Sequence, residues 1–371
     1  MKYFKFITAA LCLVLCSSCQ DQYLLKDVSL VSSMAFDLTK ERKLLNTVSL
    51  PRVPNDKLGK PKVLTVSAIG NTPRENRTKI DSKISGTLDI SKLRLLLLGE
   101  HLAKENILPN LDSFYRDPKS PLTAQMMLVE GKASEVFKLK ITDETISDYL
   151  SRLLQSAESS TLVPHKQMQS IRSELLDPGQ DFLLPYIKID KSKNIINLKG
   201  LAMFDGYKYS GMFLSTAQSP LYLLLLNKKG KSTRFTEKIS NSHRLLMNNF
   251  ITADLKKMKR TLNLEVNKMN EITATIYLNL KMEVTEYPSG YLNSERKRKY
   301  LSKELSQKFT HRSEKIFRKM QEANCDGFGI GRKLMASHPE IWKKLNWKKE
   351  YSKMKFIPKV QVEIMDTGIV D

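Results

Sequence analysis

The sequence predicts a multi-domain, mixed α/β protein of the α+β class, in which the C-terminal domain packs one long helix against a long antiparallel sheet. Three observations lead to this prediction. The chain has 371 residues, enough for two or three domains of about 150 residues each. Residues 272–284 alternate strictly between apolar and polar side chains, which is typical of a strand with one buried face. Residues 293–322 repeat apolar side chains at helical spacing, and this helix and the strand would both be roughly 45 Å long.

The N-terminal region is predicted to interleave short strands and short helices. Its strand patterns lie at 30–38, 62–68 and 124–130. The apolar run Leu93–Leu102 predicts a buried strand that continues into a helix, and residues 111–115 predict a short helix that ends before Pro118. Apolar residues at helical spacing over 142–154 predict a further helix, with Thr142 as its N-cap.

A domain boundary is predicted between residues 190 and 195. Residues 19–190 would form an N-terminal α/β region of one or two subdomains, and residues 195–371 would form the C-terminal α+β domain. The second region should begin with a β-hairpin that turns at Asp205-Gly206, because this dipeptide is a strong hairpin signal. Alternating patterns predict further strands at 262–266 and 360–364.

The first 18 residues have the layout of a secretory signal peptide. Lys2 and Lys5 give a positive start, and the apolar run Phe6–Leu15 follows. As a helix this run would be only about 15 Å long, which is too short to cross a bilayer. Two small serines come next, so we expect residues 1–18 to be removed from the mature protein.

Cys19 is the candidate lipid-attachment residue. The segment Cys16-Ser17-Ser18-Cys19 resembles a bacterial lipobox, in which a diacylglyceryl group is attached to the last cysteine before cleavage on its N-terminal side. Leucine is usual three positions before the modified cysteine, and here Cys16 stands in that place. Attached acyl chains would hold the protein on a membrane, since each buried methylene contributes about 0.8 kcal/mol. The alternative is a plain secreted protein that is cleaved near Ser18.

Composition narrows the function classes. Lysine and arginine total 61 against 39 acidic residues, a net charge of +22. An exported protein would not routinely meet nucleic acid, so we expect no nucleic-acid partner. Part of the excess positive charge suits binding to anionic lipid headgroups. Most of the lysines would simply be solvated at the surface. Three of the four cysteines lie before residue 20, which excludes a disulfide framework. No apolar run reaches the ~20 residues of a membrane-spanning helix, which excludes a channel or transporter.

No catalytic, cofactor-binding or metal-binding residue is predicted. The sequence has no HExxH, no phosphate-binding Walker loop, no G-x-S-x-G and no CxxC, and its histidines are scattered. Cys325 has no base beside it and is expected to be a buried structural residue. The absence of paired acids also disfavours a cell-wall lytic enzyme.

Two motifs near the C-terminus have alternative interpretations. The first is Gly327-Phe-Gly-Ile-Gly331, which follows a helix and not a strand. It should therefore form a turn into a second helix instead of a dinucleotide site. An anion site at Arg332 and Lys333 is the weaker alternative. Trp342 and Trp347 lie among lysines, which suits either a membrane interface or packing against the domain.

The order of several sequence blocks resembles the Ger(x)C family of spore germination lipoproteins, the C subunits of nutrient germinant receptors. The similarity covers nearly the whole mature chain. Its blocks are Leu25–Val28, Leu30–Asp37, Leu95–Ala103, Tyr115–Pro118, Val129–Ala133, Leu184–Pro185, Gly200–Phe204, Asp326–Gly331, His338–Lys344 and Asp366–Ile369.

The resemblance implies a lipid-anchored, non-catalytic protein of three mixed α/β domains on the outer face of the spore inner membrane. It would act beside the integral-membrane A and B subunits of a receptor that responds to amino acids, sugars or nucleosides. The family's chemically defined site, the lipidated cysteine, corresponds to Cys19. The alternative function is a solute-binding lipoprotein that captures the germinant itself, although such proteins usually have two α/β lobes around a cleft.

Overall fold

The computed structural model describes residues 28–52, 62–141, 144–240, 244–288, 292 and 294–366. The strands are β1 Val28–Leu30, β2 Ser33–Leu38, β3 Leu44–Arg52, β4 Lys62–Gly70, β5 Thr87–Asp89, β6 Leu95–Gly99, β7 Gln125–Val129, β8 Leu183–Asp190, β9 Ile195–Asp205, β10 Lys208–Ser215, β11 Arg234–Lys238, β12 Phe250–Val266, β13 Ile272–Glu286 and β14 Lys355–Asp366. The α-helices are α1 Pro73–Asp81, α2 Glu100–Ala103, α3 Leu108–Arg116, α4 Ile146–Ser159, α5 Met168–Leu175, α6 Ser219–Leu225, α7 Glu295–Glu322, α8 Ile330–Ser337, α9 Pro339–Trp342 and α10 Trp347–Tyr351. Across the residues described, no helix is both long enough and apolar enough to cross a membrane.

An eight-stranded mixed sheet lies at the centre of the N-terminal region. Its strand order is β10-β9-β8-β7-β6-β2-β3-β4, and the neighbours from β8 to β2 run parallel to one another. Strands β9 and β10 form the predicted hairpin, with Lys208 paired with Asp205, and β9 pairs with β8. This pairing runs across the residues where the domain boundary is predicted, and the boundary itself stays a prediction.

Helices and strands cover both faces of this sheet, which explains the unbroken apolar run in β6. Leu95 and Leu97 belong to one hydrophobic core, whereas Leu96 and Leu98 belong to another, and all four are fully buried. Successive strand residues point to opposite faces, so a strand that is buried on both sides needs apolar residues at every position. The first core is shared with the C-terminal region, where it continues to Ile364.

The C-terminal sheet has the order β11-β12-β13-β14 and packs against α7. In β13 every second residue from Ile272 to Val284 is buried, as the alternating pattern predicted. The predicted apolar residues of α7 are buried as well: Leu301, Leu305, Phe309, Ile316 and Met320. The predicted α+β class is confirmed. The sheet is mixed instead of wholly antiparallel, since β14 runs parallel to β13. The connection between the two strands contains α7 to α10, and because α7 carries the chain back along the sheet, a parallel crossover results.

Helix α7 also covers the open edge of β14. Three of its hydroxyls, spaced four residues apart, accept main-chain N–H groups of this edge strand. Ser302 Oγ accepts from Ile364 (3.1 Å), Ser306 Oγ from Val362 (2.8 Å) and Thr310 Oγ1 from Val360 (3.2 Å). An open strand edge exposes unpaired N–H groups that can template aggregation, and this hydroxyl row satisfies them within the chain.

Several smaller predictions can also be compared with the structure. The predicted helix over 142–154 begins at Ile146, and Thr145 is its N-cap, since Thr145 Oγ1 accepts the N–H of Asp148 at 3.1 Å. Thr142, the predicted cap, lies outside the described residues. The strand-to-helix prediction for Leu93–Leu102 is confirmed by β6 and α2.

Candidate functional site

Cys19 and the predicted signal peptide, residues 1–18, lie outside the described residues. The lipid-attachment site therefore stays a prediction from the sequence. Among the residues that the structure does describe, no group of three or more His, Cys, Asp or Glu side chains could hold a metal ion.

The glycine run 327–331 forms a tightly packed turn between α7 and α8. Gly329 has a left-handed backbone (φ +66°) at the start of α8. A Cβ atom on Gly327 would lie 2.4 Å from Leu183 Cδ1, and one on Gly331 would lie 2.4 Å from Trp347 Nε1. These glycines therefore allow close packing and a turn into a second helix, as the sequence predicted.

The carboxylate just before this run, Asp326, is buried and fully hydrogen-bonded. Its Oδ1 accepts the N–H of Ile330 (3.0 Å), and its Oδ2 accepts the N–H of Gly331 (2.8 Å) and the indole N–H of Trp347 (3.1 Å). Burial raises the pKa of Asp326 to about 7, although these three donors act in the opposite direction. Only 1% of Asp326 is exposed, so the carboxylate cannot meet a substrate from solution.

A second carboxylate, Asp181, joins the N-terminal sheet to this turn. Asp181 precedes β8, and its Oδ2 accepts the N–H of Asp326 at 2.8 Å. Its Oδ1 accepts the N–H of Gly206 at 2.8 Å, in the turn of the β9–β10 hairpin. The Nζ of Lys348, on α10, donates to both Asp181 oxygens at 2.8 Å. One carboxylate thus links four separate segments of the chain.

Lys348 also binds the side chain of Asp205, next to Asp181. Its Nζ donates to Asp205 Oδ1 (2.5 Å), whose other oxygen accepts from the side-chain amide of Asn324 (3.2 Å). Burial alone would lower the pKa of Lys348, but the charges and hydrogen bonds of Asp181 and Asp205 together outweigh burial and raise this pKa. We refer to these residues together as the junction cluster: Asp181, Asp205, Asn324, Asp326, Trp347 and Lys348.

Contacts within the molecule favour the structural interpretation of Trp347, Arg332, Lys333 and Cys325. Trp347 is 5% exposed and its indole is hydrogen-bonded inside the molecule, so it packs against the domain. Arg332 forms an ion pair with Asp177 (3.4 Å), and Lys333 Nζ donates to the carbonyl of Leu262, so both cations have internal partners. Cys325 is buried, and burial raises the pKa of its thiol well above the usual value, which makes it a poor nucleophile.

Sequence reasoning did not identify the two aspartates and the lysine at the centre of this cluster. Asp181 and Lys348 lie 167 positions apart, and Asp181 and Asp326 lie 145 apart. No local spacing signals such pairs. The available clues were indirect: Asp326 precedes the glycine run, and Asp205 forms the hairpin turn.

An open groove of about 680 Å³ lies between the C-terminal end of α4 and the loop Asn227–Lys231. Glu158, in its wall, accepts from Gln125 Nε2 (2.7 Å) and lies 3.0 Å from His165 Nδ1. The loop is held close to the helix end, because a Cβ on Gly230 would lie 2.1 Å from the Glu158 carbonyl oxygen. Within the described chain, no carboxylate oxygen lies within 4.0 Å of the ammonium groups of its lysines, Lys228, Lys229 and Lys231.

Comparison with known proteins gives concordant matches over both regions of the chain. The family described as "Spore germination protein N-terminal domain" matches residues 21–189, and the family described as "Spore germination B3/ GerAC like, C-terminal" matches residues 199–368. Spore germination protein GerQC of Bacillus cereus is 23% identical over 356 residues, with 95% of this chain and 96% of the relative covered. Spore germination protein KC of Bacillus subtilis (strain 168) is 24% identical over 403 residues, with 95% and 91% covered.

A solved structure has the same fold. The crystal structure of the GerBC protein superposes with a TM-score of 0.58 at 18% sequence identity. The match covers 90% of this chain and 96% of that one. The similarity therefore extends over the eight-stranded and the four-stranded sheet and is not confined to one region.

Proposed function

The chain belongs to the GerAC family of spore germination proteins, and from this membership we propose that it is the lipid-anchored, non-catalytic C subunit of a spore nutrient germinant receptor. The resemblance predicted from the sequence is confirmed, and a role in spore germination follows from it. The finer assignment has three parts, which are the lipid anchor at Cys19, the partnership with the integral-membrane A and B subunits, and a scaffolding role without catalysis.

The observation that best supports the scaffolding role is that the buried carboxylates of the junction cluster are hydrogen-bonded within the molecule. They accept from main-chain N–H groups, an indole and one lysine. Buried ionic groups that are fully bonded fix one arrangement of the segments that they join, whereas catalytic groups must be reachable. The cluster therefore suits a rigid adaptor that acts through its outer surfaces.

The proposed location is the outer face of the spore inner membrane. In this arrangement the acyl group on Cys19 keeps the folded part within reach of the A and B subunits. Residues 20–27 separate Cys19 from β1, and a fully extended chain of this length spans at most about 30 Å. The adaptor would therefore stay close to the bilayer, in a position to contact membrane-embedded partners.

The anchor is tested by labelling with a palmitate analogue in cells that express Cys19→Ala or Cys16→Ala. If Cys19 is the lipidated residue, Cys19→Ala loses the label and leaves the membrane fraction, and germination in the cognate nutrient slows. Cys16→Ala is the matched control, because Cys16 falls in the segment that would be removed, and it should keep the label. A labelled Cys19→Ala protein, or one that fractionates and germinates normally, would refute the anchor.

The partnership is tested by co-purification from spore membranes through a C-terminal tag. Two multi-spanning proteins should be recovered with the tagged chain in mild detergent and identified by mass spectrometry. The adaptor role predicts that both proteins are recovered in a fixed ratio to the tagged chain. Recovery of the chain without membrane partners would contradict the receptor-subunit assignment, and so would turnover of a substrate by the purified chain.

The groove beside the Asn227–Lys231 loop favours a second candidate, direct capture of a solute. Its three lysine ammonium groups lack carboxylate partners in the described chain, and a germinant with a carboxylate or phosphate could bind there. Calorimetry with the purified chain decides: micromolar binding of a germinant, lost in Lys229→Glu and kept in Lys344→Glu, would establish solute capture. If germinants that trigger the spore give no heat of binding, solute capture is refuted and the adaptor role is favoured.

A further inference from the structure

Three consecutive apolar side chains protrude from the loop between β11 and β12. The exposed fractions are 59% for Leu245, 71% for Leu246 and 56% for Met247. We call residues 245–247 the apolar tip. Single exposed apolar residues are ordinary, but a contiguous run of large ones is rare on a surface that meets only water. The tip is thus a candidate contact surface.

A run of four cations, Arg296 to Lys299, occupies the first turn of α7, and we call it the basic run. This is the wrong end for helix stability, because the N-terminal end of a helix is partially positive and repels cations. Lys299 pairs with Glu295 at 2.6 Å, and Arg298 donates to the carbonyl of Leu292 at 3.1 Å. Arg296 and Lys297 have no carboxylate within 4.0 Å in the described chain. An external anion would offset this unfavourable local arrangement.

The apolar tip and the basic run lie at the same end of the C-terminal sheet. The tip leads into β12, whose Thr252 pairs with Glu286 at the end of β13. Lys297 Nζ lies 5.0 Å from the centroid of the Tyr287 ring, one residue beyond β13. The opposite end of the same sheet holds the β12–β13 turn, in which Met269 is 83% exposed. One end of the sheet therefore combines an apolar protrusion with two cations, Arg296 and Lys297, that have no carboxylate partner among the described residues.

We propose that this end of the C-terminal sheet rests on an anionic bilayer surface, with the apolar tip inserted at the headgroup level and the basic run over the phosphates. The proposal rests on the membrane location given under Proposed function and adds the orientation of the molecule. Leucine and methionine gain by entering the interface, and cations gain over anionic headgroups without a fixed pairing geometry. An acidic protein surface would satisfy the cations but would also need a matching apolar pocket for the tip.

The test uses the mature chain from residue 19 with Cys19→Ser, so that no acyl group contributes. It is sedimented with vesicles of phosphatidylcholine alone or mixed with phosphatidylglycerol, at low and at high salt. Binding should require phosphatidylglycerol and should weaken as salt rises. Because each cation near an anionic surface is worth roughly a fivefold change in affinity, Arg296→Gln with Lys297→Gln should reduce binding about 30-fold. Leu246→Glu with Met247→Glu should reduce it at least tenfold.

Met269→Glu is the matched control, since it replaces an exposed methionine at the other end of the same sheet. It should bind vesicles as the parent chain does, and circular dichroism should show all variants folded. Failure of the parent chain to bind anionic vesicles at low salt would overturn the proposal, as would equal losses in the tip and Met269 variants. Because the chain tested has no lipid, this outcome is independent of whether Cys19 is acylated in the cell.

Discussion

The carboxylate of Asp181 accepts the main-chain N–H of Asp326 at 2.8 Å, and this contact joins two segments that lie 145 positions apart. Asp181 precedes β8 of the eight-stranded sheet, whereas Asp326 follows α7 of the C-terminal region. Lys348 neutralises Asp181 from a third segment. A contact of this kind sets the position of one region on the other, because the buried Asp181 carboxylate cannot be left unpaired without a large desolvation cost.

Lys348→Met should destabilise the folded chain by roughly 2 to 3 kcal/mol, because it leaves Asp181 buried without its cation while keeping a similar apolar stem. The free energy of unfolding is measured from urea curves of the mature chain with Cys19→Ser. Lys349→Met is the matched control, since Lys349 is exposed on the same helix, and it should change stability by less than about 0.5 kcal/mol. Equal curves for both variants would show that the ion pair adds no stability.

Gly331→Ala should destabilise the folded chain more than a substitution at an exposed position of α8. The new Cβ would lie 2.4 Å from Trp347 Nε1 and 2.9 Å from Gly179 Cα, so the indole must move away from Asp326. We expect a loss of about 2 kcal/mol, typical of overpacking, together with a shift in tryptophan fluorescence. Ala336→Ser, exposed on the same helix, should leave both readouts unchanged. An unshifted spectrum in Gly331→Ala would contradict the close packing described here.

The hydroxyl row of α7 should protect the edge of β14. Ser306→Ala removes the acceptor of the Val362 N–H and should cost about 1 kcal/mol. Hydrogen exchange at the Val362 amide should accelerate, and amides in the middle of β13 should not change. Gln307→Ala, exposed on the same helix, is the control and should not alter exchange at Val362. Unchanged protection in Ser306→Ala would mean that this hydroxyl does not close the strand edge.

Local patterns predicted the parts of the fold that depend on local burial. The strict alternation of β13 and the helical spacing of α7 follow directly from one buried face on each element, so both were visible in the sequence. The parallel direction of β14 was not visible in the sequence, because the direction of a strand depends on where a crossover helix returns the chain. Ser302 and Ser306 read as ordinary exposed helix residues until the edge strand is placed beside them.

The candidate site was less predictable than the fold. The glycine run could be assigned to a turn because it follows a helix, and that assignment is confirmed. The partners of Asp326 could not be assigned, since Asp181 and Lys348 come from segments that only the tertiary structure brings together. Ionic groups of this kind carry no periodicity, and an isolated aspartate in a sequence resembles any solvated one.

The pH dependence of stability should contain a contribution from Asp326 that has the opposite sign to that of an ordinary aspartate. Burial raises its pKa to about 7 in the folded chain, against about 3.9 when unfolded. Between these values the folded state binds more protons than the unfolded state, so the free energy of unfolding falls as pH rises from about 4 to 7. The full difference is on the order of 4 kcal/mol.

Asp326→Asn removes this titration, and the slope of unfolding free energy against pH should become less negative than in the parent chain over that window. Its absolute stability should be lower at pH 4, because the asparagine amide must face the N–H donors of Gly331 or Trp347. Asp190→Asn is the control: hydrogen bonding, chiefly from Ser192, lowers the pKa of Asp190, so this group is ionised in both the folded and the unfolded chain above about pH 5, and the slope from there to pH 7 should not change. Urea curves at several pH values measure all three slopes, and equal slopes in the parent chain and Asp326→Asn would show that Asp326 stays ionised in the folded protein.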